Sequence, residues 1–432
     1  MGHGWRINDG IAVVLLAIVA IAPMPLASNR PMFWMMSATL VFMAAGVFMA
    51  SVARQNRALP VAMNRLWVPC LLVIAYLVFM AFQVFGGLYS ATPNAGILAM
   101  LRTLSYATFF FLVLQVAAKP KRASWMLKTL FYVVVFYAFI GFLSRFGVVK
   151  FPEILMPSPS QFNATATFVN RNSYATFLGF GLLTGVALAA CQIQSMRSQY
   201  RLQRAALIIF DPGLMLYIAA TLVISVTLFA TNSRMGGAAV MLALAVFLLI
   251  IALKRSHFRA LAVLLAVVAL MAAVYPYGPN LLDRLGSIEQ DVDVRFALYQ
   301  QVWEMIMARP WAGSGADSFE IAFQRVHRLP VSADLVWDKA HNSYLTNWAE
   351  TGLVFGSIPI ILLSIAFAIF VKAVFKKQQS YMLPLLGLSV ILQGAIHSLA
   401  DFSLEIQANA YLFLAIVAIA LADTLRASRG HK

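Results

Sequence analysis

Charge is scarce in this chain. Only 11% of its 432 residues are Asp, Glu, Lys or Arg, against about a quarter in a soluble domain. Acidic side chains are the scarcer sign, 16 against 32 basic. Apolar residues make up 62% of the chain, and the mean hydropathy is +0.82. A water-surrounded core could not hide that excess, so the solvent is largely lipid. Disorder, collagen, coiled coil and a disulfide-stapled secreted fold are excluded. Cysteine is almost absent: Cys70 and Cys191 both fall in apolar stretches and read as small packing residues rather than a bridge. There is no Walker A run, G-x-S-x-G, H-E-x-x-H or C-x-x-C. ATP-driven transport, serine or zinc proteolysis and redox chemistry thereby lose their usual signatures.

What is present is a succession of apolar windows long enough to cross about 30 Å of hydrocarbon. They run near 10–28, 32–53, 64–83, 95–117, 124–143, 172–192, 206–231, 236–253, 260–276, 344–371, 381–399 and 408–425. The expectation is an all-α membrane protein of about twelve spans, because backbone polar groups in lipid must be satisfied within helices. Residues 1–432 form one polytopic domain. The first run, after Arg6, could imitate a signal peptide and is counted as a retained helix. Myristoylation is not expected, since Arg6 stands where Ser or Thr is wanted.

The net charge of +16 would suggest nucleic acid, but 20 of the 32 basic residues lie in alternate loops. Arg54, Arg57 and Arg65 occupy one such loop, and Lys119, Lys121, Arg122 and Lys128 another. The positive-inside rule then places both termini in the cytoplasm and expects no nucleic-acid partner. Residues 277–343 carry 9 of the 16 acidic residues and form the one long outward segment. Val294, Leu298, Val302 and Met305 or Ile306 repeat there at helical spacing, Pro310 stops the run, and Ala316 to Val326 suggests a second amphipathic helix. The reading is a helical cap between the ninth and tenth spans, on the outward side.

Twelve basic residues fall outside the cytoplasmic loops, against the positive-inside tendency. Three stand in polar motifs at outward helix ends: Arg171 in FVNRNSYA, Arg234 in TNSRMGG and Arg295 in DVRFALYQ. Converging guanidinium groups suit phosphate or diphosphate, while each alone suits a lipid headgroup or a neighbouring carboxylate. His341 opens HNSYLTNWAETG at a helix N-terminus, which disfavours imidazolium. It reads as a general base near neutral pH or as a capping or packing residue. Glu350, inside the tenth span, is expected to pair with an arginine or hydroxyl of the bundle. His397 and Asp401 share one helical face and could position an arginine or a hydroxyl; without a third ligand nearby they do not predict a metal. Asp291 and Asp293 form a D-x-D at a helix start, which occurs often by chance.

Five segments together resemble a known family: FVNRNSYA (168–175), TNSRMGG (231–237), RFALYQQVWEMIMARPWAGSGADSF (295–319), HNSYLTNWAETG (341–352) and HSLADF (397–402). They are similar to the O-antigen ligase and polysaccharide polymerase superfamily of bacterial inner-membrane glycosyltransferases. One departure is Phe355, where the family commonly has a small residue; Gly356 follows it. The resemblance implies a GT-C-like fold, no cofactor and no metal. It implies inverting transfer of a glycan from an undecaprenyl-diphosphate donor to a sugar hydroxyl, at a periplasmic site. On that reading His341 is the base, and Arg234, Arg295 and Arg171 bind the donor diphosphate. Asp401, His397, Asn342 and Tyr299 position the acceptor or support the site. A ligase, with lipid A–core oligosaccharide as acceptor, is the first reading. A polymerase joining lipid-linked repeat units is the alternative, and a secondary transporter the remote one. The oligomeric state is not read from the sequence.

Overall fold

Every described regular element is helical, as apolar windows of this length require in lipid. The computed structural model describes residues 7–88, 90–157, 163–199, 210–254, 281–332, 334, 336–376 and 381–427, without the side chains of 197–199, 281–293 and 427. The helices are α1 (Ile7–Ile21), α2 (Pro31–Arg54), α3 (Trp67–Phe85), α4 (Pro93–Val116), α5 (Pro120–Arg145), α6 (Arg171–Gln199), α7 (Pro212–Ala230) and α8 (Arg234–Leu253). After them come α9 (Leu281–Ala308), α10 (Phe319–Phe323), α11 (Ser343–Phe355), α12 (Ile358–Phe375), α13 (Met382–His397) and α14 (Gln407–Ala427).

Nine of these described helices are long and apolar enough to cross a membrane: α2 to α8, α12 and α14. The shorter α1 and α13 are also apolar. The chain is a multi-pass membrane protein. The expected span at 260–276 lies outside the described residues. The window at 206–231 begins too early, because Asp211 caps α7, accepting from the Leu214 amide at 2.7 Å, with Pro212 at the first helical position.

The expected tenth span, 344–371, is not one helix. It breaks at Gly352, whose φ of 71° and ψ of 168° leave the helical region and are accessible chiefly to glycine. The break frees carbonyls that a continuous helix would use. Ser314 donates its amide to Ala349 and Gly315 to Glu350, both at 2.9 Å, and Leu353 donates to Pro310 at 2.7 Å. The turn 310–315 is thus laced backbone to backbone onto α11. A Cβ at Gly352 would collide with the carbonyls of Trp311 and Pro310, and one at Gly313 with the backbone of Glu350.

The bundle is centred on α14, whose apolar window is 83% buried, whereas that of α3 is 17% buried. Its alanines, among them Ala408, Ala415, Ala418, Ala420 and Ala422, let neighbouring helices approach closely. The outer helices α2, α3 and α12 turn large apolar side chains outward. A second, separate apolar cluster joins α9, α10 and α11: Leu298, Val302 and Ile306 pack with Phe319, Phe323 and Ala349. Each large side chain buried there contributes about 2 kcal/mol. The helical face read from the sequence is thus the buried face of α9, with Val294 only half buried. The expected second helix is shorter than 316–326, spanning only Phe319–Phe323.

Candidate active site at one end of the bundle

One end of the bundle gathers the N-termini of α6, α8, α11 and α14 and the C-terminus of α13. Its organising residue is Asp401, fully buried in the turn between α13 and α14. Ser403 donates its hydroxyl to this carboxylate, and Asn172 at the start of α6 donates its side-chain amide at 3.3 Å. Asn172 in turn accepts from the Ser233 hydroxyl at 2.8 Å, and the same hydroxyl caps α8 at Gly236. His397, also buried, bonds through Nδ1 to the Thr176 hydroxyl, one turn along α6 from Asn172.

His341 stands just outside α11. Asn342 is the true N-cap: its Oδ1 accepts from the amides of Tyr344 at 3.0 Å and Leu345 at 3.1 Å, and its Nδ2 donates to the Leu399 carbonyl. Asn342 is therefore engaged on both sides and acts by fixing its neighbour. His341 takes φ of 51°, uncommon for a residue with a Cβ. Its ring lies between the rings of Trp337 and Phe402, with centroids at 5.8 and 5.1 Å, and its Nδ1 is enclosed without a partner among the described residues. Burial pulls the imidazole below its ordinary value; Arg295 acts in the same sense, and Asp401 and Asp338 oppose it. The ring is therefore neutral at pH 7 and able to accept a proton.

On α9, Tyr299 and Arg295 face this turn one helical turn apart. The Tyr299 hydroxyl is 3.1 Å from the His341 carbonyl and 3.3 Å from that of Leu399. Burial raises the phenol above its ordinary value, so it remains a donor. Arg295 donates to the Ala400 carbonyl at 3.3 Å. The structure thus brings together His341, Arg295, Tyr299, Asp401, His397 and Asn342. Arg171 and Arg234 are exposed first residues of α6 and α8, next in sequence to Asn172 and Ser233. Arg171 bonds the Asn163 side chain at 3.2 Å, which also accepts from Asn232 at 3.1 Å.

Three other basic residues at this end, Arg102, Lys339 and Arg328, meet carboxylates. Arg102 and Lys339 each meet Asp317 at 3.4 Å, Lys339 also meets Glu405 at 3.3 Å, and Arg328 is held by Glu304 at 2.6 Å. Arg171, Arg234 and Arg295 have no such carboxylate among the described residues. Glu350 corrects an expectation: among the described residues it pairs with neither arginine nor hydroxyl but accepts from the backbone amides of Asp317 at 2.9 Å and Phe319 at 3.1 Å, fixing the start of α10. Among the described residues no group of three or more His, Cys, Asp or Glu is placed to hold a metal ion. The side chains of Asp291 and Asp293 lie outside the description.

Sequence reasoning passed over Asn172, Thr176, Ser233, Ser403, Trp337 and Phe402. Asn172 and Ser233 adjoin the chosen arginines in their motifs and Phe402 ends HSLADF; the remaining three have no local signal.

Residues 219–360 match the model of a family described as O-antigen ligase. That match bears out the resemblance to the O-antigen ligase and polymerase superfamily. The family segment runs from within α7 to the start of α12 and includes Arg234, Arg295, Tyr299, His341 and Asn342. Arg171, His397 and Asp401 lie outside it. No curated protein matches the chain.

Proposed function

We propose that this protein is an O-antigen ligase that transfers a glycan from undecaprenyl diphosphate to a sugar hydroxyl of lipid A–core oligosaccharide. The observation that carries the reading is the sorting of cations around His341. Arg102, Lys339 and Arg328 are matched by carboxylates, whereas Arg295, Arg234 and Arg171 meet none among the described residues, which suits an external oxyanion. Arg295 and Arg234 hold the donor diphosphate and stabilise the charge it gains on leaving; Arg171 positions it. The acceptor oxygen attacks the anomeric carbon from the face opposite the diphosphate, the bond from that carbon to the diphosphate oxygen breaks, and His341 takes the hydroxyl proton. Diphosphate leaves without needing a general acid. Asp401, His397, Tyr299 and Asn342 hold the turn on which the base stands.

In this reading the His341 end is periplasmic and the membrane is the bacterial inner membrane. Both termini are cytoplasmic, and residues 277–343 cap the site. The span count of about twelve adds α1, α13 and the 260–276 window to the nine long helices. The arginines gather at one end of the bundle and not midway, which favours transfer over alternating-access transport.

The test incubates purified protein with undecaprenyl-diphosphate-linked glycan and EDTA, with or without lipid A–core, and with His341→Ala as control. Product on lipid A–core alone establishes the ligase. A ladder of longer lipid-linked glycans without added acceptor makes the protein a polymerase. Loss of product with EDTA would remove the metal-independent step.

A further inference from the structure

At the end of the bundle opposite His341, a cavity of about 750 Å3 opens among the termini of α1, α2, α4, α5 and α14. α14 separates the two places: it begins beside the Asp401 turn, and its last turn lines the cavity. At 1.5 Å per residue they are roughly 30 Å apart. The lining carries Arg57, Arg65, Lys119, Arg122 and Arg426 and no carboxylate. Asp9 pairs with Arg122 at 2.7 Å and Asp423 pairs with Arg426, whereas Arg57 and Lys119 meet no carboxylate among the described residues.

Basic residues at helix ends are ordinary in membrane proteins, and capping explains some of these. Arg65 donates to the Leu425 carbonyl and Arg122 to the Val116 carbonyl, each at 2.7 Å. Capping does not explain the rest. Among the described residues Arg57 bonds only the neutral side chains of Asn8 and Ser51, over the face of Phe48. The Lys119 side chain has neither hydrogen bond nor ion pair among the described residues. Arg57 Nε and Arg426 Nη1 are enclosed with no acceptor among the described residues. An enclosed charged donor without a partner is costly, so the cavity is built for an acceptor brought from outside the chain.

We infer that this cavity binds a phosphate oxyanion, supplied by the headgroup of an anionic phospholipid in the adjoining leaflet. Planar guanidinium forks match phosphate oxygens, and Lys119 adds a point charge. The lipid source follows from the outer face of α2, where Leu40, Met43 and Val47 lie exposed in a row leading to Ser51 at the cavity. An acyl chain can lie along that row while its headgroup reaches the cations. The site is separate from the chemistry proposed at His341 and does not depend on it.

The test is native mass spectrometry of the whole protein from mixed micelles containing phosphatidylglycerol or phosphatidylcholine. The wild type should retain phosphatidylglycerol selectively. Each basic residue contributes about fivefold to binding an anionic leaflet, so Arg57→Gln with Lys119→Gln should lower retention about twentyfold or more. Because Arg57 also joins α1 to α2, Ala118→Glu serves as a second variant. It adds a carboxylate to the lining, breaks no side-chain hydrogen bond, and should lower retention about fivefold. Inorganic phosphate that protects against thermal aggregation, without selective lipid retention, would overturn the lipid source and leave a soluble oxyanion as ligand. Equal retention of both lipids, or retention unchanged in both variants, with no response to phosphate overturns the site.

Discussion

The Tyr299 hydroxyl stands 3.1 Å from the carbonyl oxygen of His341. That contact pins a histidine whose backbone is left-handed, φ 51°, and so joins α9 to the residue before α11. Tyr299→Phe removes one hydrogen bond of about 1 kcal/mol. It should lower kcat for glycan transfer about fivefold to tenfold with little change in donor KM. A drop confined to KM would instead make Tyr299 a substrate contact.

The pH profile of kcat/KM should have an acid limb below histidine's ordinary value, because burial lowers His341. A general base works deprotonated, so activity is complete above that value and lost as pH falls through it. Asp401 raises and Arg295 lowers the imidazole's proton affinity. Asp401→Asn should therefore move the limb to lower pH, and Arg295→Gln should move it higher. Shifts in the same direction would mean the titrating group is not His341.

Arg295→Lys keeps the charge but loses the planar fork. Transfer should fall about a hundredfold while thermal stability in detergent stays near wild type, since among the described residues the only side-chain bond lost is that to the Ala400 carbonyl. Full activity in Arg295→Lys would exclude Arg295 from holding the diphosphate.

Gly352→Ala places a methyl group against the carbonyls of Trp311 and Pro310 in a backbone conformation with ψ of 168° and positive φ. Strain of this kind costs about 1–3 kcal/mol before any clash is counted. The midpoint of thermal aggregation should drop by several degrees. An unchanged midpoint would show that the turn 310–315 is not held against α11 in solution.

Helices and their buried faces were legible in the residues themselves. Asp211 followed by Pro212 marks a helix start, and Leu298, Val302 and Ile306 mark one face of α9. The three candidate arginines stood out in the sequence because they oppose the positive-inside tendency. The break at Gly352 was not. The hydropathy of 344–371 is continuous, and a glycine reveals its positive φ only through the distant backbone of 310–315 that takes up the freed carbonyls. For the same reason Glu350 looked like an ion-pair partner: its acceptors' donors are amides more than thirty residues away. Arg57, Lys119 and Arg426 each read as ordinary loop charges. Only folding brings loops from opposite ends of the chain around one hollow.

The Gly352 hinge also separates two mechanical jobs. α12 lies in the bilayer with most of its surface turned to lipid, while α11 is laced to the 310–315 turn and carries His341 at its head. A membrane that thickens or thins changes the tilt of a spanning helix. The break at Gly352 interrupts the helical rod along which such a tilt would otherwise pass straight to His341.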